Sequence, residues 1–308
     1  MHNENKQYNL GKDWNLNGVI DTHIHGGPDI KPRLVDDEEI AIAAREAGME
    51  AILIKNNDVS TARSTYFVNK HVSGIKIFGG IALNWSVGGI NPKAVKATLE
   101  LGGKEVWMPT FDAQNHANFF GLTGYPVVGS NEKKPGLAIK QRDIPKEPGI
   151  SILKNNELIG EVKEIVNMVR EYNAIIGTGH LSKKEIGILI QYIKGIGGVK
   201  VFITHPLYMV PNLDPHFVKE LVGDGVYAEL CAINFFPTKG DKTIEEEVKM
   251  IKTVGPENCI ISSDSGSRDV PISPKALRIF AEWLFKEGIS RDELYLMMAK
   301  NPKKVLDL

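Results

Sequence analysis

The stretch Gly18-Val19-Ile20-Asp21-Thr22-His23-Ile24-His25-Gly26-Gly27-Pro28 decides how the rest of the chain is read. Its first half is short, apolar and β-branched, the composition of a buried strand. Its second half breaks into histidines, paired glycines and a proline, which punctuate a loop. On an extended backbone His23 and His25 point to the same side, so both rings reach one point while Ile24 turns toward the opposite layer.

The same change from apolar run to polar cluster recurs along the chain. Residues 50–55, 74–78, 105–108, 174–177, 199–203, 226–230 and 259–261 read as further strands. Being almost continuously apolar, they suit a parallel sheet covered on both faces. Helical periodicity fills the gaps over 36–47, 92–101, 157–172, 183–193, 244–254 and 274–287. About eight strand–helix units predict an α/β fold, a single (β/α)8 TIM barrel over 17–308, after a polar tail over 1–16. No Gly-x-Gly-x-x-Gly follows the first strand, which removes the simplest case for a dinucleotide fold. Residues 111–153, after the fourth strand, form a long loop rich in Gly, Pro, Asn and Lys. It reads either as a lid over the barrel mouth or as a surface insertion without a role.

Composition narrows the function classes. The chain has 308 residues, 37 Lys+Arg against 38 Asp+Glu, and a net charge of -1. That balance gives no global basic field for nucleic acid or an anionic membrane. With 42% hydrophobic and 24% charged residues the chain is ordinary globular protein. The two cysteines, Cys231 and Cys259, are too few for a disulfide framework or a Cys-rich zinc site. A reducing cytoplasm is the expected setting. The polar N-terminus does not read as a signal peptide, and no apolar run is long enough to span a membrane.

Of eight histidines, His23, His25, His180 and His205 lie just past predicted strand ends, and Asp264 ends the eighth strand in the same way. In a barrel those ends meet at one face. Four imidazoles and a carboxylate there suit zinc, iron, manganese, cobalt or nickel, with room for an activated water. His116, inside the candidate lid, could reach substrate, but a surface role is the expected one.

These residues resemble the amidohydrolase superfamily of metal-dependent barrels. The matching elements are DTHIH after the first strand, GTGH after the fifth, THP after the sixth, SSD after the eighth and the closing Asn301-Pro302 segment. The resemblance implies that His23, His25 and Asp264 bind a more buried metal. It further implies that His180 and His205 bind a second metal, or that His205 polarises substrate at a single one. One or two divalent ions per chain are expected, zinc first, with manganese or iron as alternatives. The fourth strand departs from the pattern, since Met108-Pro109-Thr110 carries no bridging lysine or glutamate and Asp112 stands too far into the loop.

Lys55, ending the second strand, has three readings: a carbamate ligand, a charge partner for substrate or Asp58, or a side chain pointing outward. Glu229 could pair with it. Lys31, Arg33, Asn84, Trp85, Lys140, Arg142 and Arg268 are softer mouth candidates whose cations would suit an anionic substrate. Trp107, Phe119, Phe120 and Tyr125 read as lid or core. The resulting expectation is a metal-dependent hydrolase of a small polar or anionic molecule, cleaving an amide, cyclic amide, lactone or amidine. In it Asp264 moves protons, and His205 or Lys55 stabilises the oxyanion. A mononuclear decarboxylase of the same superfamily is the alternative. The partner is a small-molecule substrate, not nucleic acid or membrane, and a homo-oligomer is carried only as a prior.

Overall fold

Apolar runs bounded by glycine and asparagine turns fold as predicted. The computed structural model describes residues 14–121, 123–124, 147–236 and 242–308. Tyr125, Lys140, Arg142 and most of the expected tail and lid lie outside them. The strands are β1 (Ile20–Ile24), β2 (Ala51–Ile54), β3 (Lys76–Ala82), β4 (Glu105–Trp107), β5 (Leu153–Lys154), β6 (Glu157–Leu158), β7 (Ile175–Gly177), β8 (Lys200–Thr204), β9 (Val226–Cys231) and β10 (Cys259–Ser262). Eight of them form one sheet in the order β1-β2-β3-β4-β7-β8-β9-β10, and every pair within it is parallel. The backbone of Asp264 donates to His23 O, and that of Ser265 accepts from His25 N, both at 2.8 Å. Those bonds bring the end of β10 against β1 and close a (β/α)8 barrel.

The connecting helices are α1 (Asp37–Glu46), α2 (Ala62–His71), α3 (Pro92–Glu100), α4 (Gln114–Phe120), α5 (Gly160–Glu171), α6 (Lys183–Ile196), α7 (Pro215–Leu221), α8 (Ile244–Val254) and α9 (Ser273–Lys286). The chain continues into α10 (Arg291–Tyr295) and α11 (Asn301–Leu306). Capping boxes start α1 at Asp36/Glu39, α6 at Ser182/Glu185 and α8 at Thr243/Glu246, each satisfying two otherwise orphaned N–H groups. No helix among the described residues is long and apolar enough to cross a membrane.

Alternation along each strand sorts side chains into two cores. Ile52, Ile54, Ile81, Val106, Ile176, Val201, Ile203 and Ile261 pack outward under the helices. Ile20, Leu53, Ala82, Trp107, Ile175, Phe202, Tyr227 and Ile260 fill the lumen with Val305 and Leu306 of α11. Asp307 takes Asn173 at 2.8 Å and Lys200 at 2.5 Å, and Lys303 pairs with Glu50 at 2.7 Å. These partners sit at the starts of strands, so the segment around α11 seals the end opposite the mouth.

Trp107 is the lumen's largest plug. Gly80 and Gly177 give it space, because a Cβ on Gly80 would lie 2.7 Å from its Cζ3 and one on Gly177 2.4 Å from its Cδ1.

Candidate metal centre

In β1, Ile20 faces the lumen. Strict alternation from it would therefore send His23 and His25 outward. The β1–β2 register shifts between Asp21 and Ile24, and this irregularity resets the phase. Ile24 consequently joins the outer core, and His23 and His25 turn toward the mouth. Asp21 anchors the bend, accepting from Ser263 N at 3.0 Å and Ser273 Oγ at 2.6 Å.

Asp264 Oδ1 lies 3.4 Å from His23 Nε2 and 3.2 Å from His25 Nε2. Glu229, which faces the lumen, accepts from Thr22 Oγ1 at 2.8 Å and lies 3.2 Å from His23 Nδ1. A carboxylate can only accept, so His23 carries its proton on Nδ1 and presents a lone pair at Nε2. Lys55 Nζ stands 3.2 Å from that Nε2 and 5.2 Å from the centre of the Trp107 ring. At 2% exposure Lys55 is buried, so the outward-pointing reading is corrected. Ala51 and Leu53 point into the lumen, and alternation carries Lys55 the same way.

His205 and His180 approach from β8 and β7. Their ring centres are 5.0 Å apart, and His205 is 6.1 Å from His23. His205 and Asp264 hold left-handed backbones, φ 31 and φ 48, a costly conformation that cores rarely retain without a role. His180 Nδ1 meets His116 Nδ1 at 2.9 Å. His116, on α4, is fully buried, which corrects its expected surface position. His116 Nε2 and His205 Nδ1 have no hydrogen-bond partner among the described residues.

Electrostatics follow from burial. Burial would raise Asp264, but His23 and the bond from His25 outweigh it and hold the carboxyl far below its ordinary range. Burial lowers His205 to about 3 against the pull of Asp264. Burial, then His205 and His116, holds His180 well below the usual imidazole range. Lys55 is also lowered by burial, opposed by Asp264 and Glu229. Glu105, beneath the site with both oxygens unpartnered among the described residues, is driven up by burial and Glu229 against the pull of Lys55.

The donor set fits a divalent metal. Metal–nitrogen bonds of about 2.0–2.1 Å in a tetrahedron imply ligand–ligand edges of about 3.4 Å, the His23–Asp264 spacing. Sequence reasoning missed Cys231: one ligand atom each from His23, Cys231 and Asp264 all lie within 4.8 Å of one another. Counting by twos from Tyr227 and Glu229 would have placed this cysteine in the lumen.

The softer candidates divide. Arg33 Nη2 lies 3.1 Å from His25 Nδ1 and 2.6 Å from Asp29 Oδ2. Lys31 stands over the Phe111 ring, which packs on His116 and His180. Asn84 instead ties loops together, donating to Asn57 O and Thr110 Oγ1. Trp85 N donates to Asp112, and Arg268 Nε donates to Arg33 O.

Fold and site together define a parallel barrel with an imidazole–carboxylate cluster at the carboxyl ends of its strands. Residues 18–229 match a family described as a family of unknown function, DUF6282, and the chain belongs to it. Comparison with curated proteins gives no match. Among solved structures the chain is similar to an amidohydrolase from Pseudomonas aeruginosa, with 14% identity over 94% of this chain and 95% of that one and a TM-score of 0.60. A probable dipeptidase, PvdM, from the same organism gives 10% identity over 94% of each chain and a TM-score of 0.62. A 2,6-dihydroxybenzoate decarboxylase gives 10% identity over 95% of this chain and 100% of that one, with a TM-score of 0.54. These neighbours are amidohydrolase-superfamily structures, and at such identities the likeness is one of fold.

Proposed function

We propose that the chain is a metal-dependent hydrolase of a small polar or anionic molecule, cleaving an amide, cyclic amide, lactone or amidine. The observation that supports this reading is the convergence of His23, His25, His180, His205 and Asp264 at one mouth, with Glu229 orienting His23. A divalent ion held by His23, His25 and Asp264, zinc before manganese or iron, would supply hydroxide by lowering the pKa of water toward about 7. His180 and His205 line the same space. Asp264, ionised at neutral pH, accepts a proton from the attacking water and passes it to the leaving group. The Lys55 ammonium, or His205, stabilises the negative oxygen that develops. Trp107, spanning the lumen beneath Lys55, keeps water out from below. A reducing, cytoplasmic setting goes with this reading, since Cys231 and Cys259 are free and buried.

Decarboxylation is the second reading. It is favoured by the end of β4, where Met108 packs into the outer core and brings no carboxylate to bridge two ions. Elemental analysis of protein purified without chelator or a histidine tag tests the foundation. About one ion per chain, lost in His23→Ala, supports the mononuclear form, and about two requires a bridging ligand. No metal after reconstitution refutes the proposal. Product analysis of the active substrate, carbon dioxide against a hydrolysed product, then separates the two reactions.

A further inference from the structure

We propose that the flank of the barrel formed by α1 and α2 docks on the same flank of a second copy of the chain. The result is a two-fold dimer in which α1 of one protomer lies on α2 of its partner and both mouths stay open.

Helix α2 is the unusual surface. It follows β2 as α1 follows β1, and those strands are parallel neighbours, so the two helices lie side by side and run in the same direction away from the mouth. Ala62, Thr65 and Val68 form the buried side of α2. Its outer stripe, at helical spacing, is Arg63, Tyr66, Phe67 and Lys70. Tyr66 is 54% and Phe67 47% exposed, and their rings meet edge to face with centres 5.4 Å apart. Lys70 Nζ stands 4.7 Å from the centre of the Tyr66 ring. Adjacent aromatics of this kind are the anchors that protein interfaces bury. The helix has no acidic residue, so the stripe is aromatic in the middle and cationic at both ends.

Helix α1 presents the complement. Ile40, Ala41 and Ala44 are buried. Its outer side carries exposed Glu38, Glu39, Arg45 and Glu46, with Ile42 and Ala43 half-buried between them. That side has three carboxylates against one guanidinium, and Arg45 lies 3.9 Å from Glu46. Both helices are 10 residues long, and their stripes are in step. Glu38 and Arg63 each stand second, Ile42 and Phe67 each sixth, and Glu46 and Lys70 at the last turn.

Symmetry chooses the pairing. A two-fold axis along the helices sets α1 on the partner's α2 in the same direction. Glu38 then faces the partner's Arg63, Ile42 the partner's Phe67 and Glu46 the partner's Lys70, and every contact occurs twice. An axis across the helices would stack each helix head to tail on its own copy. Arg63 would meet the partner's Lys70 and Glu38 the partner's Glu46, and facing like charges oppose that arrangement. The complement to α2 lies on the neighbouring helix of the same chain, which commits the face to a second copy. Each helix is about 15 Å long and about 8–10 Å from its neighbour, a face smaller than the about 800 Å² per partner of a standard interface. Association is therefore reversible, with the aromatics carrying affinity and the charges fixing register.

Sedimentation velocity on the full chain from about 1 to about 100 μM tests this. Wild type is expected to move from the monomer toward twice the chain mass. Tyr66→Ser combined with Phe67→Ser should weaken association about tenfold or more. Arg63→Glu and Glu38→Arg should each weaken it, and the two together, which put opposite charges back across the axis, should recover it. Wild type that stays monomeric throughout overturns the proposal and leaves the face to a partner of another kind. A dimer that the aromatic substitutions leave intact overturns the choice of surface. A dimer that the combined charge exchange does not recover overturns the pairing of α1 with α2. All four side chains are exposed, circular dichroism checks that the variants fold, and the wild-type result needs no variant.

Discussion

Replacing Glu247 with glutamine isolates one buried charge. Glu247 lies on the inner face of α8 with Val248, Met250, Ile251 and Val254, and neither of its oxygens has a partner among the described residues. Burial, then neighbouring Glu246, raises its pKa from 4.5 to about 8. The folded chain therefore keeps a proton that the unfolded chain releases between those values. Because the folded pKa lies above the unfolded one, the stabilisation is full below the unfolded value and is lost as pH rises through about 8. Each pH unit of that window carries about 1.4 kcal/mol, so its full width takes about 5 kcal/mol from the wild-type chain. Glutamine has the same shape and nothing to ionise. Urea unfolding of both proteins from about pH 5 to about pH 9 measures the difference. Wild type should lose stability relative to the variant steadily across the range, then level off. Parallel stability curves would refute the argument that this carboxyl is buried without a partner.

Four further outcomes follow from the site and its supports. Lys55→Met removes the cation that competes for His23 Nε2, and zinc binding measured by competition with a chelating dye should tighten by about tenfold or more. Asp264→Asn should abolish product formation while circular dichroism stays native, because the site lies at the mouth and not in the outer core. Gly177→Ala puts a methyl group against Trp107 and Glu105 Oε1, and thermal unfolding should show a loss of about 1–3 kcal/mol from overpacking. His116→Phe removes the nitrogen that meets His180. If His180 contributes to metal binding, calorimetry should show affinity falling about 10- to 100-fold.

The barrel was legible because both faces of its strands are apolar, so each run stood out against polar loops. The residues at the mouth were legible because they follow those runs directly. What escaped had weaker local signals. Helix α2 begins at Thr61 without a side-chain cap bond and has a largely polar composition. Helix α4 is seven residues long and likewise uncapped, so His116 read as part of a loop. Cys231 closes β9 one residue past the predicted strand, and only counting by twos through Glu229 turns it inward. Arg33 reads from sequence only as a cation, but its hold on a histidine eight residues earlier depends on Asp29 fixing the loop between them.

On the proposed reading, the backbone of His205, left-handed at φ 31, sets folding and function against each other at one position. Glycine accepts that conformation freely, while a side chain there costs about 1–3 kcal/mol. A library screened only for thermal tolerance should therefore enrich His205→Gly, and one screened for turnover should reject it. Stabilising this scaffold for engineering thus means leaving its least comfortable residue alone and gaining stability elsewhere, at positions such as Glu247.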